Sequence, residues 1–193
     1  MFTFWTSVDT VIQIVPPAVL ETGYARWTFD GQHRRAACCG SGARASDEVL
    51  VASATTVRND TVLGLQRDIE ALKDTAPVPE TFARDFQVST IFHPLPAEFL
   101  QAVVKESLKV PVHVWRETMA EMLSPEAQVE LKKIKTPTLI LWGDKETIFP
   151  RSEQDRLVSE LRHSTLKVYA DTGHALHWER PERFAKDLQE FIN

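Results

Sequence analysis

From Glu48 onward the apolar residues fall into short continuous runs and helical stripes. "EVLVASA" (48–54) is almost unbroken apolar chain, the pattern of a strand buried on both faces of a parallel sheet. Asp60 stands where a helix cap belongs, before "TVLGLQRDIEALK", in which Val62, Leu65, Ile69 and Leu72 recur at helical spacing. Helical patterns return in "PETFARDFQ", in "PAEFLQAVVKESL" with Phe99, Leu100, Val103, Val104 and Leu108 on one stripe, and in "VWRETMAEML". Ser124 and Pro125 form a cap and first turn for a further helix, "SPEAQVELKKI". Pro77, Pro79, Pro94, Pro96 and Pro111 punctuate these patterns rather than interrupt them, so residues 55–134 read as an all-helical block.

Beyond that block the period changes. "TPTLILWGD" (136–144) is a buried strand that begins after Pro137 and ends at Gly143. Ser152 is placed to cap "EQDRLVSELR", and "LKVYAD" (166–171) alternates as a strand. Pro181 opens a last helix with Phe184, Leu188, Phe191 and Ile192 on one face. The order strand, helical block, strand, helix, strand, helix predicts an α/β fold with a partial parallel sheet and a helical insertion.

Residues 1–48 fit no such scheme. "GYARWTFDGQHRR" (23–35) matches neither the helical nor the strand period, and the segment is expected to be anomalous, either disordered or mistranslated. The opening "MFTFWTSVDTVIQIVPPAVL" lacks a basic stretch and is broken by Asp9 and two prolines, which speaks against a signal peptide or a membrane span.

Composition narrows the partners. The 193 residues are 43% hydrophobic and 25% charged, which suits one globular domain, and the net charge of -5 is spread along the chain. Neither a nucleic acid nor an anionic membrane is expected as a partner, and the oligomeric state is open. The two cysteines, Cys38 and Cys39, are adjacent and supply neither a disulfide framework nor a zinc site. His33, His93, His113 and His163 show no ligand spacing. No metal or cofactor is expected, and a cytoplasmic location is the default.

Chemistry gathers at two strand ends. In open α/β sheets reacting groups sit at the carboxyl ends of the strands. Asp144 ends "LILWGD", and His174 follows "LKVYAD" in "TGHALHW". Singly, such residues are ordinarily turn or structural groups. Together they place a carboxylate and an imidazole on outgoing loops of neighbouring strands, where the acid can orient the base. His177 lies close enough to line the same loop.

At these residues the chain resembles the α/β-hydrolase family. "TPTLILWGDKETIFP" is similar to the strand that delivers the family's acid. "VYADTGHALHWERPERFAKDLQEFI" is similar to its last strand, histidine loop and final helix, and "LVASA" to the strand leading into the helical lid. The resemblance spans about 49–193 and implies a core of 49–54 and 135–193 with 55–134 as lid. It also implies acyl-ester hydrolysis by a Ser-His-Asp triad, with Asp144 as the acid and His174 as the base. A small-molecule substrate with an apolar part follows, since Phe82, Phe86, Phe99 and Trp115 crowd the lid segment.

The family's G-x-S-x-G elbow is missing, so the nucleophile is unassigned and the chain as written is expected to be inactive. "CCGSGARAS" has the wrong spacing. The alternatives are a catalytically dead fragment, a binding module, or a derivative of a dehalogenase or epoxide hydrolase. Read one base later, however, the codons of "GYARWTFDG" permit A-T-L-V-G-H-S-M-G. Its central glycine is forced, because Trp27 has the single codon TGG and the codons of Thr28 begin with A. Ser or Leu is permitted at the nucleophile position, not the Asp that a dehalogenase needs. An out-of-frame stretch up to about residue 46, with the frame restored near Asp47 to Val49, is therefore expected.

Overall fold

A computed structural model of the chain describes residues 25–29, 34–38, 48–124, 131 and 134–192. Three parallel strands form one sheet: β3 (Glu48–Val51), β4 (Thr138–Gly143) and β5 (Ser164–Tyr169), side by side in that order. Val49 lies opposite Leu139, and Leu139 opposite Thr165. All six residues of β4, the middle strand, are buried, as its apolar run predicts. On β3 only Glu48 and Val49 are buried, while Leu50 and Val51 are half-buried, because β3 is the outer strand of the described sheet. Upstream, β1 (Ala25–Phe29) and β2 (Arg34–Cys38) pair antiparallel, with Ala25 opposite Cys38. Periodicity alone does not anticipate these two strands. The rest of 1–47 lies outside the described residues.

β3 is followed by Ala52, whose φ of 45° is a left-handed conformation that costs a residue with a Cβ about 1–2 kcal/mol. Its N–H still donates to Leu141 O at 2.8 Å, so the turn leaves the sheet without breaking the ladder. The helical block follows: α1 (Asp60–Glu70), α2 (Glu80–Ser89), α3 (Ala97–Ser107) and α4 (Val112–Met122). The cap of α1 is Asn59, not the expected Asp60. Asn59 Oδ1 accepts from Val62 N at 3.0 Å, and its Nδ2 donates to Ile148 O at 3.0 Å, a tie to the loop after β4 that a carboxylate could not make. Helices α2, α3 and α4 each begin directly after a proline, whose fixed φ and missing N–H suit a helix start. The block has its own core around Trp115, with Phe82 and Phe86 edge-on to it at 5.4 and 5.2 Å. The helix expected over "SPEAQVELKKI" falls almost wholly outside the described residues.

After β4 come α5 (Arg151–Glu160), the single turn α6 (Leu176–Glu179) and α7 (Pro181–Ile192). Pro150, not Ser152, precedes α5, and Ser152 lies inside its first turn. Side chains of β4 alternate between two cores. Leu139 and Leu141 pack with Tyr169, Leu176 and Phe184, whereas Ile140 packs with Leu157 and Leu161 of the α5 side. Each such fully buried aliphatic side chain contributes about 1.5–3 kcal/mol. The sheet is thereby covered on both faces, and the carboxyl ends of β4 and β5 are held rigidly beside each other.

Candidate active site

The exit of β4 runs unusually close to the loop after β5. A Cβ on Gly143 would lie 2.1 Å from Thr172 O and 2.4 Å from Gly173 O, so only glycine fits. Past it, Asp144 N donates to Tyr169 O at 2.9 Å and Lys145 N to Thr172 O at 2.9 Å. The chain then closes a turn, with Glu146 N donating to Gly143 O at 3.1 Å. That turn swings the carboxylate of Glu146 inward until its side chain is 0% exposed.

Inside, Glu146 is held by backbone and faces an imidazole. Its Oε1 accepts from Ile148 N at 2.7 Å and Phe149 N at 3.4 Å, and its Oε2 lies 2.6 Å from His174 Nδ1. A separation that short is typical of a charge-assisted bond. A carboxylate at Nδ1 keeps the proton on that nitrogen and leaves Nε2 free to accept one. The His174 side chain is 20% exposed, and its ring is 5.9 Å from that of Phe149. A half-buried imidazole oriented in this way is equipped for proton transfer to and from a reacting oxygen.

The expected pairing of Asp144 with His174 is not formed. Asp144 still belongs to the end of the strand ladder through its N–H, and its carboxylate lies 4.0 Å from Lys145 Nζ, which is also 3.8 Å from Asp171. The end of β4 marks the loop but not the residue that faces His174. The turn Gly143–Glu146 brings the third residue after the glycine back over the sheet, and "GDKE" offered a second carboxylate there.

His177 does not line the loop. It is 2% exposed on α6, with ring contacts to Trp178 at 5.1 Å and Phe184 at 5.8 Å, and neither ring nitrogen has a partner among the described residues. Burial, and next the proximity of His174, push its pKa down to about 3, so it is a neutral imidazole near pH 7. Trp142 is structural, its Nε1 donating to Phe149 O at 2.9 Å. Phe82, Phe86 and Trp115 fill the core of the helical block, and Phe99 meets Trp178 at 5.9 Å. An apolar groove on the block is lined by Val88, Ile91, Phe92, Pro94, Leu95 and Leu100. Among the described residues no serine hydroxyl is bonded to His174, and no helix is long and apolar enough to cross a membrane.

Glu179 was not legible as a site residue. It sits five positions after His174 and accepts hydrogen bonds from both the histidine loop and the loop between α2 and α3.

The chain is 29% identical over 103 residues to the monoacylglycerol lipase ABHD6 of Bos taurus, a match covering 51% of this chain and 30% of the lipase. An esterase from Exiguobacterium antarcticum superposes with a TM-score of 0.66 at 19% identity, over 76% of this chain and 57% of the esterase. A 2-hydroxy-6-oxo-6-phenylhexa-2,4-dienoate hydrolase from Rhodococcus sp. strain RHA1 superposes with a TM-score of 0.59 at 21% identity, over 74% and 53%. The chain thus spans about a third of the length of the curated lipase and little more than half of the solved enzymes. The family model described as alpha/beta hydrolase fold matches residues 45–181. With that match over most of its length, and a three-stranded parallel sheet flanked by helices, the chain belongs to the α/β-hydrolase fold family.

Proposed function

We propose that this chain carries the base and the acid of a carboxylic-ester hydrolase, with His174 as general base, Glu146 in place of Asp144 as the carboxylate that orients it, and residues 55–134 as a helical lid. The observation that carries the reading is the 2.6 Å contact between His174 Nδ1 and a fully buried carboxylate. In the reaction, Nε2 takes the proton of a serine hydroxyl as its oxygen attacks the acyl carbon, then returns it to the departing alcohol. Water repeats the cycle on the acyl-enzyme. Glu146 stabilises the imidazolium formed in each half. The names of the lipase and the esterase above support an ester substrate.

The serine is the missing component, and the gene is where it is to be sought. The family match begins at residue 45, close to where the shifted reading is expected to return to frame, and the permitted Gly-His-Ser-Met-Gly falls just upstream of it. Sequencing the coding DNA tests this: a plus-one frame without G-x-S-x-G before "LVASA" rejects it. The 193-residue chain, given a p-nitrophenyl ester and a serine-directed fluorophosphonate, is expected to show neither turnover nor labelling. Labelling at a specific serine that vanishes in His174→Ala would locate the nucleophile within the chain as written.

A further inference from the structure

We propose that Glu179 is a positioning residue that clasps the loop between α2 and α3 to the histidine loop, so that the placement of the helical block and the orientation of His174 become one variable. The inference rests on the reading of His174 and Glu146 as base and acid. Glu179 Oε1 accepts from Gly173 N at 2.7 Å and from Phe92 N at 3.1 Å, and its Oε2 accepts from His93 N at 2.8 Å. One carboxylate thus satisfies three backbone donors from two loops about eighty residues apart, using most of its acceptor capacity.

The ties bracket the base. His174 lies between Gly173, whose N–H is held through Glu179, and Ala175, whose N–H donates directly to Thr90 O at 2.8 Å. Both flanking residues are therefore fastened to the same short piece of the helical block. The packing leaves no slack: a Cβ on Gly173 would be 2.8 Å from Phe92 N and 3.0 Å from Glu179 Oε1. Removing the carboxylate would strand the N–H groups of Phe92, His93 and Gly173 and leave the Thr90 contact as the remaining bond of the clasp. With Glu146 fixed by the backbone of its own loop, a shift of the histidine loop appears directly as a change in the His174–Glu146 bond.

Two readouts on the full 193-residue chain separate this from a merely structural carboxylate. The first is amide exchange at Phe92, His93 and Gly173. In Glu179→Ala it should rise together at all three, roughly ten- to a hundredfold, the loss expected for hydrogen bonds to a charged acceptor. The second is the downfield proton resonance of His174 Nδ1–H, which should broaden or vanish in the same variant. Glu179→Gln keeps one acceptor oxygen and should split the set, freeing either His93 alone or Gly173 and Phe92 together, with the His174 resonance intermediate. If the alanine variant does not fold, this split decides the matter. A wild-type chain lacking the resonance overturns the base–acid reading itself. A resonance unchanged while the three amides are freed, or amides unchanged in Glu179→Gln, overturns the clasp.

Discussion

Replacing His177 by leucine should stabilise the protein, by an amount that grows as the pH falls. The ring is buried among Trp178 and Phe184 with both nitrogens unpartnered among the described residues, and an unsatisfied buried polar group costs about 1–3 kcal/mol that leucine does not incur. At pH 7 the variant should therefore unfold about 1–3 kcal/mol later. Protonation adds the pH dependence. The folded-state pKa is pushed down to about 3 from an ordinary 6.5, so between those values the unfolded chain binds a proton that the folded chain refuses. The stability linked to neutral His177 is whole above 6.5 and drains away as the pH falls towards 3, by about 1.4 kcal/mol per unit. At pH 5 the wild type should have lost about 2 kcal/mol on this account, and His177→Leu none. Two carboxylates with lowered pKa stay out of this window. Glu153 is raised by burial, but this is outweighed by donors on Thr55 and Thr56; Asp187 is raised by burial, but this is outweighed by Lys167 and Tyr169. Their contributions are lost only as the pH falls below their ordinary values of 4.5 and 3.8. Urea unfolding followed by far-UV circular dichroism at pH 7, 6 and 5 measures the gap between the two proteins. A gap that stays constant from pH 7 to 5 would contradict a buried, neutral His177.

Gly143→Ala should cost at least about 3 kcal/mol, since its Cβ would overlap two backbone oxygens that cannot move independently; a urea midpoint near wild type would contradict the close approach. Tyr169→Phe removes the 2.6 Å bond to Asp187, an acceptor also held by Lys167 at 2.7 Å, and should cost about 1.5–3 kcal/mol in the same assay. Asn59→Ala should cost about 1 kcal/mol through the lost cap, a deficit that Asn59→Asp restores only in part because Ile148 O would lose its donor.

Periodicity identified most of the fold because the helices of 48–192 each bury one stripe and β4 is apolar on both faces. The apolar run "TLILWG" could only be an interior strand, and the stripe Phe99, Leu100, Val103, Val104 and Leu108 only a packed helix. What periodicity could not see was set by hydrogen bonds across long separations. Asn59 rather than Asp60 caps α1 because an amide also serves Ile148 O. Glu146 rather than Asp144 reaches His174 because a turn, not a strand, determines which residue of "GDKE" faces inward. Glu179 was invisible for the same reason, since its partners at 92 and 93 share no pattern with it. The pairing of β1 with β2 carries no amphipathic alternation that a sequence period would register.

In the function proposed above, His174, oriented by Glu146, is the base of an acyl-ester hydrolase whose serine lies in the shifted frame. The most direct test is fluorophosphonate labelling of the protein expressed with that frame restored, alongside His174→Ala, Glu146→Gln and Asp144→Asn. The proposed function predicts labelling at the serine of Gly-His-Ser-Met-Gly, its loss in His174→Ala, a severe slowing in Glu146→Gln and a near-normal rate in Asp144→Asn. An unlabelled restored protein, or one crippled by Asp144→Asn and indifferent to Glu146→Gln, would contradict it.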